Sequence, residues 1–251
     1  MDTNFNIEKA MVLAAGKGTR LRPLTSAVPK CLLPVGSTPI VKHQLRWLKR
    51  YGVRKVAINL YHKGDEIKAA LGDGAAYGID IHYSPEEVLL GTAGGVKRMG
   101  AFFNETGYVI YGDIVSNLEL SSLAEFHRQK QALITIVLFE TANPSETGIV
   151  EIDEDGKITG FTEKPPGGKR PGTLSNGGIY ILEPEILNYM ADDGYYDFGF
   201  DVFPRLIEEK VSVYGYRLNP EEYLMDIGSI EKYRQVNIDI DAGRVEIVND
   251  E

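Results

Sequence analysis

From Lys9 onward the chain alternates between compact apolar runs and stretches whose apolar residues recur at helical spacing. KAMVLAA, starting at Lys9, reads as a buried strand; a glycine-rich loop follows, Pro39 to Tyr51 has helical periodicity, and VRKVAINL is again a strand. The grammar continues with a short helix from Gly64 to Leu71, a strand at IDIHYS, a helix from Thr92 to Met99 and a strand at YVIYGD. Strands that are apolar nearly throughout imply a sheet covered on both faces, as in open, mostly parallel α/β folds. Ligands in such folds collect at the carboxyl ends of the strands, so the first half is expected to carry the catalytic sheet.

After Leu120 the pattern changes. A helix near Ser121 to Gln129 leads into ALITIVLFE, and GIVEID and KITGFTE then read as an antiparallel hairpin turning at Asp155 and Gly156. The cluster PPGGKRPG, from Pro165 to Gly172, cannot hold a regular element and is expected to form a mobile flap before the strand NGGIYIL. Ser229 to Ala242 reads as a last helix, with Ser229 as its cap and Ile230, Tyr233, Val236, Asn237 and Ile240 at helical spacing. No internal repeat or interdomain linker interrupts this. The expected organisation is a polar extension over residues 1–8, one domain over 9–242 and a tail over 243–251.

Composition narrows the class. The 251 residues are 43% hydrophobic and 25% charged, which excludes disordered and fibrous chains. A net charge of −9 argues against broad electrostatic binding to nucleic acid or an anionic membrane, while leaving room for a local basic pocket. The single cysteine, Cys31, cannot form an internal disulfide, and His43, His62, His82 and His127 lie in separate elements without metal-ligand spacing. No apolar run is long enough to span a bilayer, and the leader MDTNFNIE is unlike a secretion signal, so a cytoplasmic protein is expected.

The strongest chemical feature is LAAGKGTRLRPLTSAVPK, Leu13 to Lys30, where a buried strand empties into Gly16, Gly18, two arginines and a proline-lysine pair. Glycines after a strand let backbone N–H groups approach a polyphosphate that a Cβ would obstruct. The segment is not a Walker loop, because no G-K-[ST] follows. Nor is it a dinucleotide fingerprint, because the third glycine is missing and Arg20, Pro23 and Pro29 break the helix that should follow. A tight turn with incidental arginines explains the glycines but not the density of basic groups. Asp113 emerges just past the apolar YVIYG, where a strand-end acid is available to a hard cation or is simply solvated. Asp226, between apolar YLM and a glycine turn, offers a second carboxylate. The basic residues Lys42, Arg46, Lys49 and Arg50 belong to the solvent face of a helix. Cys31 sits beside Lys30, which favours a thiolate, but its apolar strand start favours a packed small residue.

GKGTRLRPLT with Pro29 and Lys30 resembles the signature of the sugar-phosphate nucleotidylyltransferases, also called NDP-sugar pyrophosphorylases. The resemblance runs from Lys9 to about Ala242, through YGD (Tyr111 to Asp113), FTEKP (Phe161 to Pro165), SNGGIY (Ser175 to Tyr180) and MDIGS (Met225 to Ser229). PSETGIVEID and the LGTAG of Leu90 to Gly94 are nearest to mannose-1-phosphate guanylyltransferase-like members. It implies a single Rossmann-like, GT-A-like α/β nucleotidyltransferase domain with a mixed, mostly parallel central sheet. It also implies transfer of a nucleotidyl group from an NTP to a sugar 1-phosphate, with release of pyrophosphate and with Mg2+ held by Asp113 and Asp226. PKCLL, where PKPL is common, and MDIGS, where a threonine often follows the glycine, depart from the pattern without removing a charged group. No hexapeptide-repeat β-helix is visible, so neither acetyltransferase activity nor a trimer built on such a tail is expected.

The resemblance also assigns roles. Arg20 neutralises the leaving pyrophosphate, Lys30 grips the nucleotide phosphates and Lys164 holds the sugar phosphate. Glu163, Asn176 and the backbone of Gly148 line the sugar. The backbone of Leu13, Ala14 and Gly16 borders the base, Gly18 and Thr19 belong to the same nucleotide loop, and Gly91 with Thr92 closes on the base's other edge, where Thr92 also reads as a plain helix cap. A carboxylate at Glu86 or Glu87, just before that loop, can accept from guanine N1 and N2, which uracil and thymine cannot match, while two adjacent glutamates also read as a solvated loop. Together with the mannose-1-phosphate guanylyltransferase-like resemblance, this makes GTP with mannose 1-phosphate the first pairing. UTP or dTTP with a glucose or amino-sugar 1-phosphate is the alternative, ahead of a cytidylyltransferase acting on a phosphorylated polyol or choline. A non-catalytic nucleotide-sugar-binding regulatory subunit should have lost Arg20, Asp113, Lys164 or Asp226, and all four are present. In GYYDFGFDVFPRL the aromatics read as core packing, with Asp197 or Asp201 as further candidates to reach the sugar. Homo-oligomerisation is compatible with the sequence but not specified by it.

Overall fold

The computed structural model describes residues 6–165 and 172–246. Residues 1–5 and 247–251 of the expected terminal segments, and all but the two ends of the expected Pro165 to Gly172 flap, lie outside the described residues.

The chain opens on β1 (Lys9–Leu13) and, after the glycine-rich loop, makes the single turn α1 (Leu24–Ala27) and the small ladder of β2 (Pro34–Val35) and β3 (Thr38–Pro39). The helix α2 (Ile40–Arg50) precedes β4 (Lys55–Leu60), α3 (Gly64–Leu71) precedes β5 (Asp80–Pro85), and α4 (Gly91–Arg98) precedes β6 (Gly107–Tyr111) and β7 (Ile114–Ser116). Then come α5 (Leu120–Lys130), β8 (Ile134–Glu140), the hairpin β9 (Gly148–Ile152) and β10 (Ile158–Glu163), and β11 (Leu174–Leu182). The remainder is α6 (Phe203–Glu208), β12 (Val213–Arg217), β13 (Leu224–Asp226) and α7 (Ile230–Asp241). The periodicity anticipated most of these elements to within a residue or two. It did not single out α1, β2, β3, β7, β12 or β13, which are short or interrupted by glycine.

The chain divides into two compact units. The first is built from residues 6–89, 110–119 and 220 onward, and its sheet follows the order β6-β1-β4-β5. β1, β4 and β5 are parallel, with Leu13 opposite Asn59 and Asn59 opposite Ser84, so their carboxyl ends finish at one level. α2 covers part of this unit by burying Ile40, Val41, Leu45, Trp47 and Leu48, each fully buried aliphatic side chain contributing about 1.5–3 kcal/mol. Its basic residues Lys49 and Arg50 are exposed and Lys42 and Arg46 half-buried, which agrees with a solvent face.

The second unit comprises residues 90–109 and 120–219, with strand order β10-β9-β11-β6 and with β8 paired to both β11 and β12. β9 and β10 are antiparallel, and the turn between them uses Gly156 at φ 81°, a conformation that favours glycine. β11 runs antiparallel to β8 with a register shift between Asn176 and Tyr180, while β12 joins β8 in parallel. The fold is thus Rossmann-like α/β with a mixed central sheet, as the sequence implies. Tyr180, Phe198 and Phe203 form an aromatic cluster in the second unit, with ring centroids 5.2 to 5.5 Å apart.

Candidate functional site

The glycine-rich loop leaves β1 at the level where the parallel strands end. Gly16 has open space where a Cβ would stand, and Lys17, Thr19 and Arg20 are exposed. Gly18 is left-handed at φ 61°, and a Cβ there would lie 3.0 Å from Thr25 Cγ2 and 3.3 Å from the Cβ of Lys30, so only glycine lets the loop fold back onto the lysine stem. Thr25 Oγ1 donates to the Gly18 carbonyl at 2.8 Å and closes this fold. The prolines do not leave the segment irregular: Pro23 precedes the single turn α1, and 3-10 turns form over Thr19–Leu21 and Lys30–Leu32. Buried Leu21 anchors the loop and leaves its neighbour Arg20 outside.

Asp113 is positioned by α2. The Gln44 amide donates to the carbonyls of Tyr111 and Ile114, both at 2.9 Å, and so clamps the Gly112–Asp113 turn from both sides. Gly112 is required there because a Cβ would lie 2.9 Å from the Leu13 carbonyl, at the start of the glycine-rich loop. Asp226 arrives on β13, which pairs antiparallel with β7 so that Asp226 faces Ile114, and the Ile227 N–H donates to the Asp113 carbonyl at 2.9 Å. The two acids, 113 residues apart in sequence, thereby become neighbours along the backbone. The Asp113 carboxylate is ion-paired with Lys30. Asp226 Oδ1 accepts from the Gly228 N–H at 2.7 Å, and its Oδ2 from Lys232 Nζ at 2.6 Å. A Cβ on Gly228 would stand 3.3 Å from Arg20 Nη2, which brings the Arg20 guanidinium to the same turn.

The in-register ends of β1, β4 and β5 gather a further set. Asn59 Oδ1 accepts from the Ala14 N–H at 2.8 Å, and Asn59 Nδ2 donates to Glu86 Oε1 at 2.7 Å. Glu86 is 7% exposed, whereas Glu87 is exposed, so the structure separates two adjacent acids that the sequence could not rank.

The second unit carries its own polar cluster. Glu163, the last residue of β10, faces Gly148 and Gly199: a Cβ on either glycine would approach its Oε2 to 2.6 and 2.5 Å respectively. The two glycines form a cradle that a side chain would fill. Burial pushes the Glu163 carboxyl above its ordinary range, with Lys164 opposing the shift. Lys164 adopts φ 44°, its Nζ lies 3.5 Å from Glu163 Oε1 and 5.8 Å from the centroid of the Phe200 ring. Asn176 Nδ2 donates to the Tyr180 hydroxyl at 2.9 Å, and its Oδ1 accepts from the Gly178 N–H at 3.0 Å.

Thr92 is not a cap, because the residue before α4 is Leu90. Thr92 Oγ1 donates to Asp197 Oδ2 at 2.8 Å and accepts from the Phe198 N–H at 2.9 Å. Asp197 also caps the π-helical turn Phe198–Val202, and Asp201 accepts from the Asp197 N–H at 2.7 Å, so both acids organise this loop. Gly91, at φ 79°, is stitched to the same loop through the Tyr196 carbonyl, which accepts from Ala93 and Gly94 at 3.0 Å. The aromatics here are only partly core: Phe198 is buried, but Tyr195 and Phe200 are 61% and 59% exposed.

Within the first unit the structure thus brings Arg20, Lys30, Asp113 and Asp226 together, and within the second Gly148, Glu163 and Lys164. Sequence reasoning did not find Gln44, Asn59 or Lys232. A glutamine in a helix or an asparagine at a strand end carries no local mark of what it will bond, whereas Lys232, in the first turn after the Ser229 cap, was within reach of inspection. His43 bonds the Val35 carbonyl and buried His127 bonds Thr135 and Glu183, consistent with structural roles. Cys31 is buried and its thiol pushed up to about 12, which supports packing over reactivity.

Asp113 and Asp226 supply hard oxygen donors on adjacent backbone positions, which fits a Mg2+ ion that takes few protein ligands and completes its shell with phosphates and water. Among the described residues no group of three or more His, Cys, Asp or Glu could hold a metal alone. No helix among them is long and apolar enough to cross a membrane.

The chain is similar to UTP–glucose-1-phosphate uridylyltransferase from Synechocystis, with 36% identity over 90% of this chain and 62% of the relative. It is also similar to mannose-1-phosphate guanylyltransferase from Mycobacterium tuberculosis, with 34% identity over 93% of this chain and 65% of the relative. It therefore spans a little under two thirds of the length of these curated relatives. Among solved structures, a candidate glucose-1-phosphate thymidylyltransferase from Bacillus anthracis in complex with a sucrose shares the fold at a TM-score of 0.84 and 22% identity, covering 96% of this chain and 97% of that one. With the nucleotidyl transferase family model matching residues 9–243, the chain belongs to the nucleotidyl transferase family.

Proposed function

We propose that the protein transfers a nucleotidyl group from a nucleoside triphosphate to a sugar 1-phosphate, releasing pyrophosphate. The observation that carries this reading is the meeting of Asp113 and Asp226, brought side by side by the β7–β13 ladder with Lys30 and Arg20 at the same loop. An oxygen of the sugar phosphate attacks the α-phosphorus, the bond to the β-phosphate oxygen breaks, and pyrophosphate leaves. All three groups are anionic, so cations must offset their repulsion. Arg20, planar and exposed, forks onto the leaving pyrophosphate, while Lys30 acts as a movable point charge on the nucleotide phosphates. Lys164 holds the sugar phosphate, and Glu163 and Asn176 hydrogen-bond sugar hydroxyls. Mg2+, held by Asp113 and Asp226, supplies further neutralisation of the phosphates when bound.

GTP with mannose 1-phosphate remains the first pairing, supported by the buried Glu86 carboxylate and by similarity to guanylyltransferases. UTP with glucose 1-phosphate is the second, because the Synechocystis relative at 36% identity carries that name. The test is a matrix of nucleoside triphosphates against sugar 1-phosphates with pyrophosphate release as readout. Turnover of one triphosphate with one sugar phosphate supports the reading, and binding without release in every cell of the matrix favours a regulatory subunit instead.

A further inference from the structure

Four side chains of the first unit form two charge-matched pairs: Lys30 with Asp113, and Lys232 with Asp226 at 2.6 Å. Two carboxylates on adjacent backbone positions repel one another unless each is countered. Here an ammonium group matches each acid.

Lys232 occupies an unfavourable place for a cation. It lies in the first turn of the twelve-residue helix α7, where its N–H donates to the Ser229 cap at 3.2 Å and the helix dipole presents its positive end. Asp226, six positions earlier, offsets that cost by accepting its ammonium. The pairing fixes the Asp226 carboxylate from the side opposite Gly228, which donates to the other oxygen.

We propose that Lys232 is a positioning residue that serves as the resident counter-ion of Asp226 and gives up its Oδ2 when a divalent cation arrives with the nucleotide phosphates. The inference rests on the reading of Asp113 and Asp226 as metal carboxylates. Two acids already matched by two ammonium groups, with the Arg20 guanidinium at the same turn, attract a free dication poorly, because binding would strand these cations beside it. A cation carried on a triphosphate brings the anions that re-neutralise them. The bare protein thereby discriminates against the free cation and accepts the cation–nucleotide complex.

The probe is Mn2+, titrated into the nucleotide-free protein and followed by the electron paramagnetic resonance signal of the unbound ion. Lys232→Met should tighten Mn2+ binding about fivefold or more, the effect of removing one unit charge at ion-pair distance in a water-like dielectric. Lys232→Arg should stay near wild type, and adding Asp226→Asn to Lys232→Met should abolish the gain. Lys232→Gln provides a second neutral variant should the methionine disturb folding, which the thermal midpoint reports. Unchanged or weaker Mn2+ binding in both neutral variants, or a gain that survives Asp226→Asn, overturns the proposal. The expected Mn2+ pattern in a protein that releases no pyrophosphate from any substrate pair would support the inference and sink the functional reading.

Discussion

Asn59 donates its side-chain Nδ2 to Glu86 Oε1 at 2.7 Å, and this bond fixes the role of both residues. The other end of the amide must accept from the Ala14 N–H, so the amide cannot flip without losing both bonds. Glu86 is thereby held as an acceptor beside the first turn of the glycine-rich loop.

If that acceptor also reads guanine, Glu86→Ala should remove discrimination between GTP and ITP, which differ only by the 2-amino group. The loss is about 1–3 kcal/mol, the cost of a buried donor left unsatisfied. Glu87→Ala should leave the ratio of specificity constants near wild type, because Glu87 faces solvent. An unchanged ratio in Glu86→Ala removes Glu86 as the guanine reader, and a wild type that prefers UTP or dTTP moves the proposed activity to the pyrimidine branch.

Asp113→Asn and Asp226→Asn should each lower turnover by orders of magnitude and leave the circular dichroism spectrum intact, since both acids are on the half-buried rim of the unit rather than in its core. Near-normal turnover of both variants at limiting Mg2+ would falsify the metal assignment.

Lys30 and Lys164 belong to different clusters, so their loss should read differently. Lys164→Ala should raise the KM for the sugar phosphate, and Lys30→Ala should weaken use of the triphosphate. Steady-state kinetics with each substrate varied in turn decides this. An increase confined to the triphosphate KM in Lys164→Ala contradicts the assignment.

The raised carboxyl of Glu163 carries a stability cost with a definite sign. Its ordinary value is 4.5, and because burial lifts the folded value above that, its favourable contribution is present below 4.5 and lost as pH rises through the folded value. Glu163→Gln should therefore melt higher than wild type near neutral pH, the gap closing toward pH 4, while sugar-phosphate use falls. Thermal midpoints across that range check it; a variant less stable than wild type at neutral pH shows that the Lys164 pairing outweighs burial.

Much of this was legible in the sequence, and the reasons are local. A run such as KAMVL or KVAINL declares a buried strand by its own composition, and the Ser229 cap marks the start of α7. Strand ends and glycine turns announce where charged groups such as Asp113 and the bases of the glycine-rich loop emerge, whereas the roles of Arg20, Lys30 and Asp226 came with the family resemblance. The pairings could not. Lys30 meets Asp113 across 83 positions and Thr92 meets Asp197 across 105, distances over which no periodicity speaks. Thr92 looked like a cap because the residue type fits one, and only the loop folded against it shows the hydroxyl engaged elsewhere. Glu86 and Glu87 looked equivalent because burial at a strand end depends on register with β4.

The first unit is stitched from three stretches, and the last of them, from residue 220, delivers β13 and α7. During synthesis on the ribosome, β1, β4, β5 and the clamp on Asp113 can assemble while the later partner acid has yet to be made. The nascent chain must hold an incomplete layer open across the whole of the intervening unit, a closure that spans more than 100 residues between Asp113 and Asp226. On such a route the docking of β13 comes last. A chain ending at residue 219 and tethered to the ribosome by a linker long enough to clear the exit tunnel should therefore resist protease over the second unit and be cleaved more readily in the first.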